Sequence, residues 1–293
     1  MLKEIREVSG GSYRITTLDE RWYGKPRVDT ISGMPSGFDW FPSSTWICGY
    51  YPKGREFEKW LKTNGENADK IRDEAGATGS KVHYACEDID KGIEIDLRTA
   101  KYMNNITGQL EELSQHEIDC ILSYCAFIEE VKPTILANEL VGFGEFYAGT
   151  IDKVFATEID TQPGKRQIWL MDIKTSKQVK FEHTLQLSSY SHMNIDYGAL
   201  GITDDEWKER KLAIIQVGYG PYKRHKITEV DDRFDFFKNI IYPLWQEDNP
   251  DAKPKQRDYP IKISSPFRVS QVSREGGLLK VEDNKKNSSR KGK

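Results

Sequence analysis

The spacing of apolar and polar positions changes along the chain, and each change of period predicts an element. Arg55 to Lys62 places Phe57, Trp60 and Leu61 on one helical face and stops at Asn64-Gly65. From Asn67 to about Asp90, residues Ile71, Ala75, Gly79, Val82, Cys86 and Ile89 step by three or four, one helical stripe whose middle is weakened by Gly76 and Gly79. Ser114-Gln-His-Glu117 is a capping box ahead of Ile118, Ile121, Leu122, Cys125 and Ile128, a helix that ends near Glu130, before Pro133. The period then falls to two. Residues 134–142, 145–158 and 166–174 read as strands, the last two joined as a hairpin through Asp160-Thr-Gln-Pro-Gly164. Glu182 to about Asn194 returns to helix, Leu212–Tyr219 and Lys226–Val230 read as paired strands, and Phe234–Trp245 is a closing apolar-striped helix.

This order predicts an α/β fold, a small mixed β-sheet flanked by helices, with no internal repeat and no second core. Residues 53–250 form that core. Residues 1–52, interrupted by Gly10, Gly11, Gly24, Pro26, Gly33, Pro35, Gly37 and Pro42, read as an irregular, aromatic-rich lead-in packed on it. Residues 251–275 read as a C-terminal extension and 276–293 as a disordered basic tail.

Composition narrows the function classes. Charged residues reach 30% against 37% hydrophobic, yet 11% aromatic residues with seven Trp supply a folding core. No apolar run approaches the roughly 18 residues of a membrane span, and Met1-Leu-Lys-Glu-Ile5 opens without a signal peptide, so a soluble, cytoplasmic protein with no membrane partner is expected. A net charge of −3, from 43 basic and 46 acidic residues, excludes coating nucleic acid by bulk charge and confines such contact to a local groove. Cys48, Cys86, Cys120 and Cys125 contain no C-x-x-C pair, which leaves free thiols as the expectation. No Gly-rich phosphate loop of Walker or dinucleotide type is present, which sets aside a nucleotide-phosphate enzyme.

Candidate chemistry concentrates between Glu145 and Lys174. On a strand, Asp172 and Lys174 share one face while Trp169, Met171 and Ile173 turn to the other, toward the core. Pairing of the hairpin brings Asp152 within reach of Asp172, and two close carboxylates repel unless a cation lies between them, which suits Mg²⁺ or Mn²⁺. Such an ion beside Lys174 is a site for phosphodiester hydrolysis; the bland alternative for a lone D-x-K is a solvated strand end. His83 and Glu87 stand four apart on one helical face; His83 reads as an imidazole ligand, a phosphate-orienting group, or a satisfied helix histidine. Gln186 and Tyr190 are likewise four apart and read as backbone or lysine contacts, or as plain helix surface.

The series Gly79-Ser-Lys-Val-His83-x-x-x-Glu87, Gly149-Thr-Ile-Asp152, Asp172-Ile-Lys174-Thr-Ser176 and Gln186-x-x-x-Tyr190 resembles the PD-(D/E)XK nuclease superfamily. Within it, the chain is similar to the RecB-like exonuclease branch of phage exonucleases, CRISPR-associated nucleases and the mitochondrial genome maintenance exonuclease. The resemblance covers about residues 50–245, with Gly49-Tyr-Tyr-Pro-Lys53 through His83 most like phage-encoded members. It implies a restriction-endonuclease-like core and a Mg²⁺- or Mn²⁺-dependent exonuclease acting on linear DNA with free ends, in the host cytoplasm if phage-encoded. It implies metal ligation by His83, Asp152, Asp172 and the Ile173 carbonyl, catalysis by Lys174 with Asp152 and Asp172, support or DNA contact from Glu87, Gln186 and Tyr190, and Glu139 as an additional acidic member. Asp172 stands where many relatives carry Glu. The CRISPR-associated branch holds an iron–sulfur cluster on one early and three late cysteines; with no cysteine after Cys125, that cluster is not expected.

The alternatives are a structure-specific endonuclease on the same fold, or a DNA-binding protein without turnover. Lys208, Arg210 and Lys211 precede one strand and Lys223, Arg224 and Lys226 follow it, with Tyr219 and Tyr222 interleaved. This stretch reads either as a single-strand contact surface or as a solvated turn. Oligomeric state has no signature in the sequence.

Overall fold

The computed structural model describes residues 2–8, 11–17, 20–28, 35–159, 162–251, 254, 272–275 and 278–281. The chain divides into two compact units, Met1–Ser43 with Asn249–Lys293, and Ser44–Asp248.

The N-terminal segment is more regular than its glycines and prolines predict. Strands β1 (Leu2–Glu7), β2 (Tyr13–Thr17), β3 (Arg21–Val28) and β4 (Pro35–Pro42) form an antiparallel sheet in sequential order. The breakers fit because of where they fall. β2 pairs with β3 only as far as Gly24, so Pro26 lies where β3 has no β2 partner to receive a donor. A Cβ at Gly24 would lie 2.8 Å from the Trp40 ring, so the missing side chain makes room for that ring.

In the second unit, α1 (Ser44–Cys48), α2 (Arg55–Asn64) and α3 (Ala68–Asp90) are followed by a hairpin of β5 (Lys101–Asn104) and β6 (Gln109–Glu112). That hairpin was not anticipated. Its strands are short and largely exposed, and its signal is turn chemistry: the Asn104 side chain accepts the Ile106 N–H at 2.8 Å and Gly108 takes a φ of 69°. Helix α4 (Gln115–Val131) starts on the expected box: Ser114 and Glu117 cap each other reciprocally, and Glu117 also pairs with buried Lys81 of α3 at 2.8 Å.

Then come β7 (Thr134–Phe143), β8 (Ala148–Glu158), β9 (Arg166–Lys174), α5 (Phe181–Ser191), α6 (Asp204–Lys208), β10 (Lys211–Tyr219) and β11 (Arg224–Glu229). They build a five-stranded mixed sheet in the order β11-β10-β9-β8-β7, antiparallel except for β9–β10, whose parallel pairing requires the crossover through α5. On one face, Val82 and Cys86 of α3 and Cys120, Tyr124 and Phe127 of α4 pack on Phe155, Met171, Ile173, Ala213, Ile215 and Val217. Helices α5 and α1 lie against the sheet as well, with Ile47, Leu185 and Leu187 fully buried. The closing helix is α7 (Phe234–Phe236), a π turn (Phe237–Ile241) and α8 (Tyr242–Asp248). Pro243 has no N–H for the carbonyl four residues back, and the widened turn falls immediately before it.

Helix positions match the periodicity to within a few residues, and Gly76 and Gly79 lie inside an unbroken α3. The first unit includes a second hairpin, β12 (Val272–Glu275) with β13 (Leu278–Val281); β12 closes the expected extension, and β13 falls inside the stretch expected to be a disordered tail. Residues 282–293 lie outside the described residues.

Candidate metal and phosphodiester site

Three strand registers line up three carboxylates. Asn138↔Lys153 and Leu140↔Ile151 set Glu139 opposite Asp152, and Lys153↔Met171 sets Asp152 opposite Asp172. The row therefore crosses β7, β8 and β9. Helix α3 reaches this row through His83, whose Nε2 donates to the Ile173 carbonyl at 3.0 Å. That bond aims Nδ1 at Asp152 Oδ2, 3.7 Å away, and Glu139 Oε1, 3.9 Å away. One ligand atom from each of His83, Glu139 and Asp152 lies within 4.8 Å of the others.

The backbone contributes to this convergence. Glu139 has a φ of 48°, a left-handed conformation that costs a non-glycine residue about 1–2 kcal/mol. Asp152 is oriented by accepting the Ile173 N–H at 2.8 Å. The peptide on either side of Ile173 thus ties both His83 and Asp152 to β9.

The electrostatics follow from burial and proximity. Burial opposes the charge on His83, but Asp152, together with the hydrogen bond and charge of Glu139, outweighs it and raises the imidazole to about 9 against the effect of Lys174. Asp172 is fully buried, and desolvation pushes its carboxyl up despite Lys174, whose Nζ sits 2.6 Å from Oδ2. Asp172 Oδ1 is buried without a hydrogen-bond partner among the described residues. Burial also opposes the Lys174 charge, but Asp172 and Asp152 more than compensate, so the amine is held above its ordinary value and keeps its proton.

The sequence candidates therefore fall into groups. His83, Glu139 and Asp152 converge; Asp172 and Lys174 form a pair on the adjoining strand; the Ile173 carbonyl is engaged by His83. Glu87 does not join them: its carboxylate pairs with Lys91 at 2.7 Å along α3. Gln186 donates to Tyr190 Oη at 2.6 Å and to Thr45 Oγ1 at 3.1 Å. Gly149 makes room for this network, since a Cβ there would meet the Tyr190 ring at 2.4 Å.

Two neighbours escaped the sequence reading. Thr45, on α1, has no motif to announce it. His183 of α5 is lowered to about 4 by burial and then by Lys174, and its Nδ1 accepts the Lys180 N–H at 3.3 Å. A separate cavity of about 460 Å³ is lined by His192, Asp232, Arg233, Phe234, Asp235 and Phe236, and no residue of the carboxylate row lines it.

A divalent ion fits this donor set. Two carboxylates and an imidazole nitrogen stand within one coordination sphere's reach, and a desolvated carboxylate oxygen without a partner lies on the next strand.

No family model and no curated protein sequence matches the chain. Among solved structures, it is similar to an alkaline exonuclease from Laribacter hongkongensis, with a TM-score of 0.34 and 9% identity over 72% of this chain and 88% of that one. A TM-score of that size leaves the geometry of the site as the basis for a functional reading. No described helix is long and apolar enough to cross a membrane.

Proposed function

We propose that the chain is a metal-dependent deoxyribonuclease that hydrolyses phosphodiester bonds from DNA ends. The observation that carries this reading is the convergence of Glu139, Asp152 and His83 beside the buried Asp172–Lys174 pair. A merely solvated strand end would leave Asp172 in water, and it is fully buried. The preference for ends, and a place among phage-encoded enzymes of replication, recombination or DNA degradation, rest on the motif resemblance.

Mg²⁺ or Mn²⁺ would be held by His83, Glu139 and Asp152 with Asp172 alongside, and when bound it would polarise a phosphoryl oxygen and acidify a water. The remaining work falls to the chain. His83 donates Nε2–H to Ile173, which fixes the ring and leaves Nδ1 facing the carboxylates. Lys174 stays protonated, so its part is that of a donor and not of a base. Its ammonium orients the attacking water or offsets the charge that builds on the phosphoryl oxygens. Asp172 fixes that ammonium in place.

The test is a gel assay with Mg²⁺ or Mn²⁺ on linear single-stranded, linear duplex, circular single-stranded and closed circular duplex DNA, with Lys174→Ala in parallel. Loss of linear DNA alone, by wild type and not by the variant, is expected. Cutting of closed circles would replace the exonuclease reading with an endonuclease, and no cutting of any substrate by folded protein would remove the nuclease reading altogether.

A further inference from the structure

A second row of side chains runs beside the carboxylates. Gln216 of β10 is in register with Lys174 of β9 on one side and with Lys226 of β11 on the other. Register partners share a face, so Lys174, Gln216 and Lys226 cross three strands on the side that carries Asp172, spanning about 10 Å. Gln216 is the fixed middle of this row: it is buried and donates to the Ser176 carbonyl at 2.9 Å. Lys226 is exposed, and its Nζ lies 5.1 Å from the centroid of the Tyr219 ring.

The row leads into the turn between β10 and β11, which has a set shape. Gly218, Gly220 and Lys223 all take left-handed φ values, of 66°, 69° and 51°. A Cβ on Gly218 would lie 2.7 Å from Cys120 Sγ, so the base of the hairpin is seated against α4. At the tip, Tyr222 is 82% exposed, the most exposed large hydrophobic side chain among the described residues. Lys223, Arg224 and Lys226 make no ion pair among the described residues. Of the basic residues ahead of β10, Arg210 stacks 4.7 Å over Trp207 and Lys211 pairs with Glu229 at 3.1 Å.

An exposed aromatic ring on a turn of set backbone shape, beside cations that make no ion pair among the described residues, matches one ligand chemistry: unpaired bases on a polyanionic backbone. A duplex keeps its base faces stacked and offers only phosphates to such a surface. On the nuclease reading above, we infer that the β10–β11 hairpin is the platform for single-stranded DNA, with Tyr222 and Tyr219 stacking on bases and Lys223, Arg224 and Lys226 holding the phosphates of a strand that continues toward Lys174.

The experiment is fluorescence anisotropy of the full chain with a labelled oligothymidylate and with a blunt duplex, Ca²⁺ replacing Mg²⁺, for wild type, Tyr222→Ala and Lys226→Ala. Cleavage of linear DNA by each protein in Mn²⁺ is followed in parallel. Both side chains are exposed, so an unchanged melting temperature verifies the fold. Tyr222→Ala is expected to weaken oligothymidylate binding roughly fivefold or more with duplex binding unchanged. Lys226→Ala is expected to weaken both and to lower the salt slope by about one. Tyr222→Ala binding oligothymidylate within twofold of wild type would overturn the platform and leave the nuclease reading to its cleavage assay. Wild type that binds no single strand would overturn the platform as well. Binding through Tyr222 without cleavage would keep the platform and remove the nuclease.

Discussion

Glu139, at a φ of 48° inside β7, places its Oε1 3.9 Å from Nδ1 of His83. Backbone strain and site geometry meet at one residue, which makes the strain measurable. Glycine in a strand is ordinarily worse than alanine by roughly 0.5–1 kcal/mol. At this position the order inverts, because only glycine adopts the conformation freely. Glu139→Gly should melt above Glu139→Ala by about 2–4 °C per kcal/mol recovered, and both should lose the rise in melting temperature that the proposed site predicts for wild type in Mn²⁺. An alanine variant more stable than the glycine variant would show that the strand carries no strain there.

Metal binding and turnover should separate at Lys174. His83→Ala and Asp152→Ala each delete a proposed ligand, so they should abolish the stabilisation by Mn²⁺ that the proposal predicts, about 2.7 kcal/mol at a hundredfold excess over Kd, and cleavage with it. Lys174→Ala should keep the thermal shift and lose turnover by about a hundredfold or more, the scale of one lost transition-state donor. Full activity in Lys174→Ala would reduce that residue to a counter-ion of Asp172.

The strands that carry this site were legible because a sheet covered on both faces buries β8 and β9 in near-continuous runs, which read as apolar stretches of strand length, and α3 shows its buried stripe at Val82 and Cys86. The N-terminal sheet was not legible. Gly24 and Pro26 are strand breakers in isolation, and what admits them is tertiary: the Trp40 ring over one and the end of β2 pairing beside the other. Within the site, adjacency in sequence misled at Glu87, which shares a helical face with His83 but pairs along the helix with Lys91. Glu139 drew only loose notice because its role depends on a φ value that no spacing rule encodes. The roles of His83, Asp152, Asp172 and Lys174 remain a proposal that the variants above decide.

Acid should loosen α6. Glu206 caps that helix with Thr203 and pairs with Arg166 at 2.7 Å. The Arg166 hydrogen bond, then the Thr203 backbone, lower its carboxyl to about 2. A depressed carboxylate stabilises the fold fully above its unfolded value near 4.5, and that contribution is lost as pH falls toward 2. The melting-temperature gap between wild type and Glu206→Gln should therefore be constant above about pH 5 and close between about 4.5 and 2. The pair is partly exposed, so the gap should also shrink with salt. A gap that persists unchanged at pH 2.5 would mean the difference is packing and not charge.

Gly149 and Tyr190 should behave as a coupled pair. A methyl group at 149 would sit 2.4 Å from the Tyr190 ring, and the strand at Gly149 is buried and cannot retreat. The ring must move, which breaks its 2.6 Å bond from Gln186 and loosens the contact with Thr45. Overpacking of this kind costs about 1–3 kcal/mol, against a gain of about 0.4–1 kcal/mol from a less flexible unfolded chain. Gly149→Ala should thus destabilise wild type, yet in a Tyr190→Ala background the clash is gone and only the gain remains. Urea unfolding of the four proteins gives the coupling directly, and it should exceed about 1 kcal/mol. Additive effects would mean that Gly149 is tolerated for its own backbone and that the Gln186–Tyr190 network stands without it.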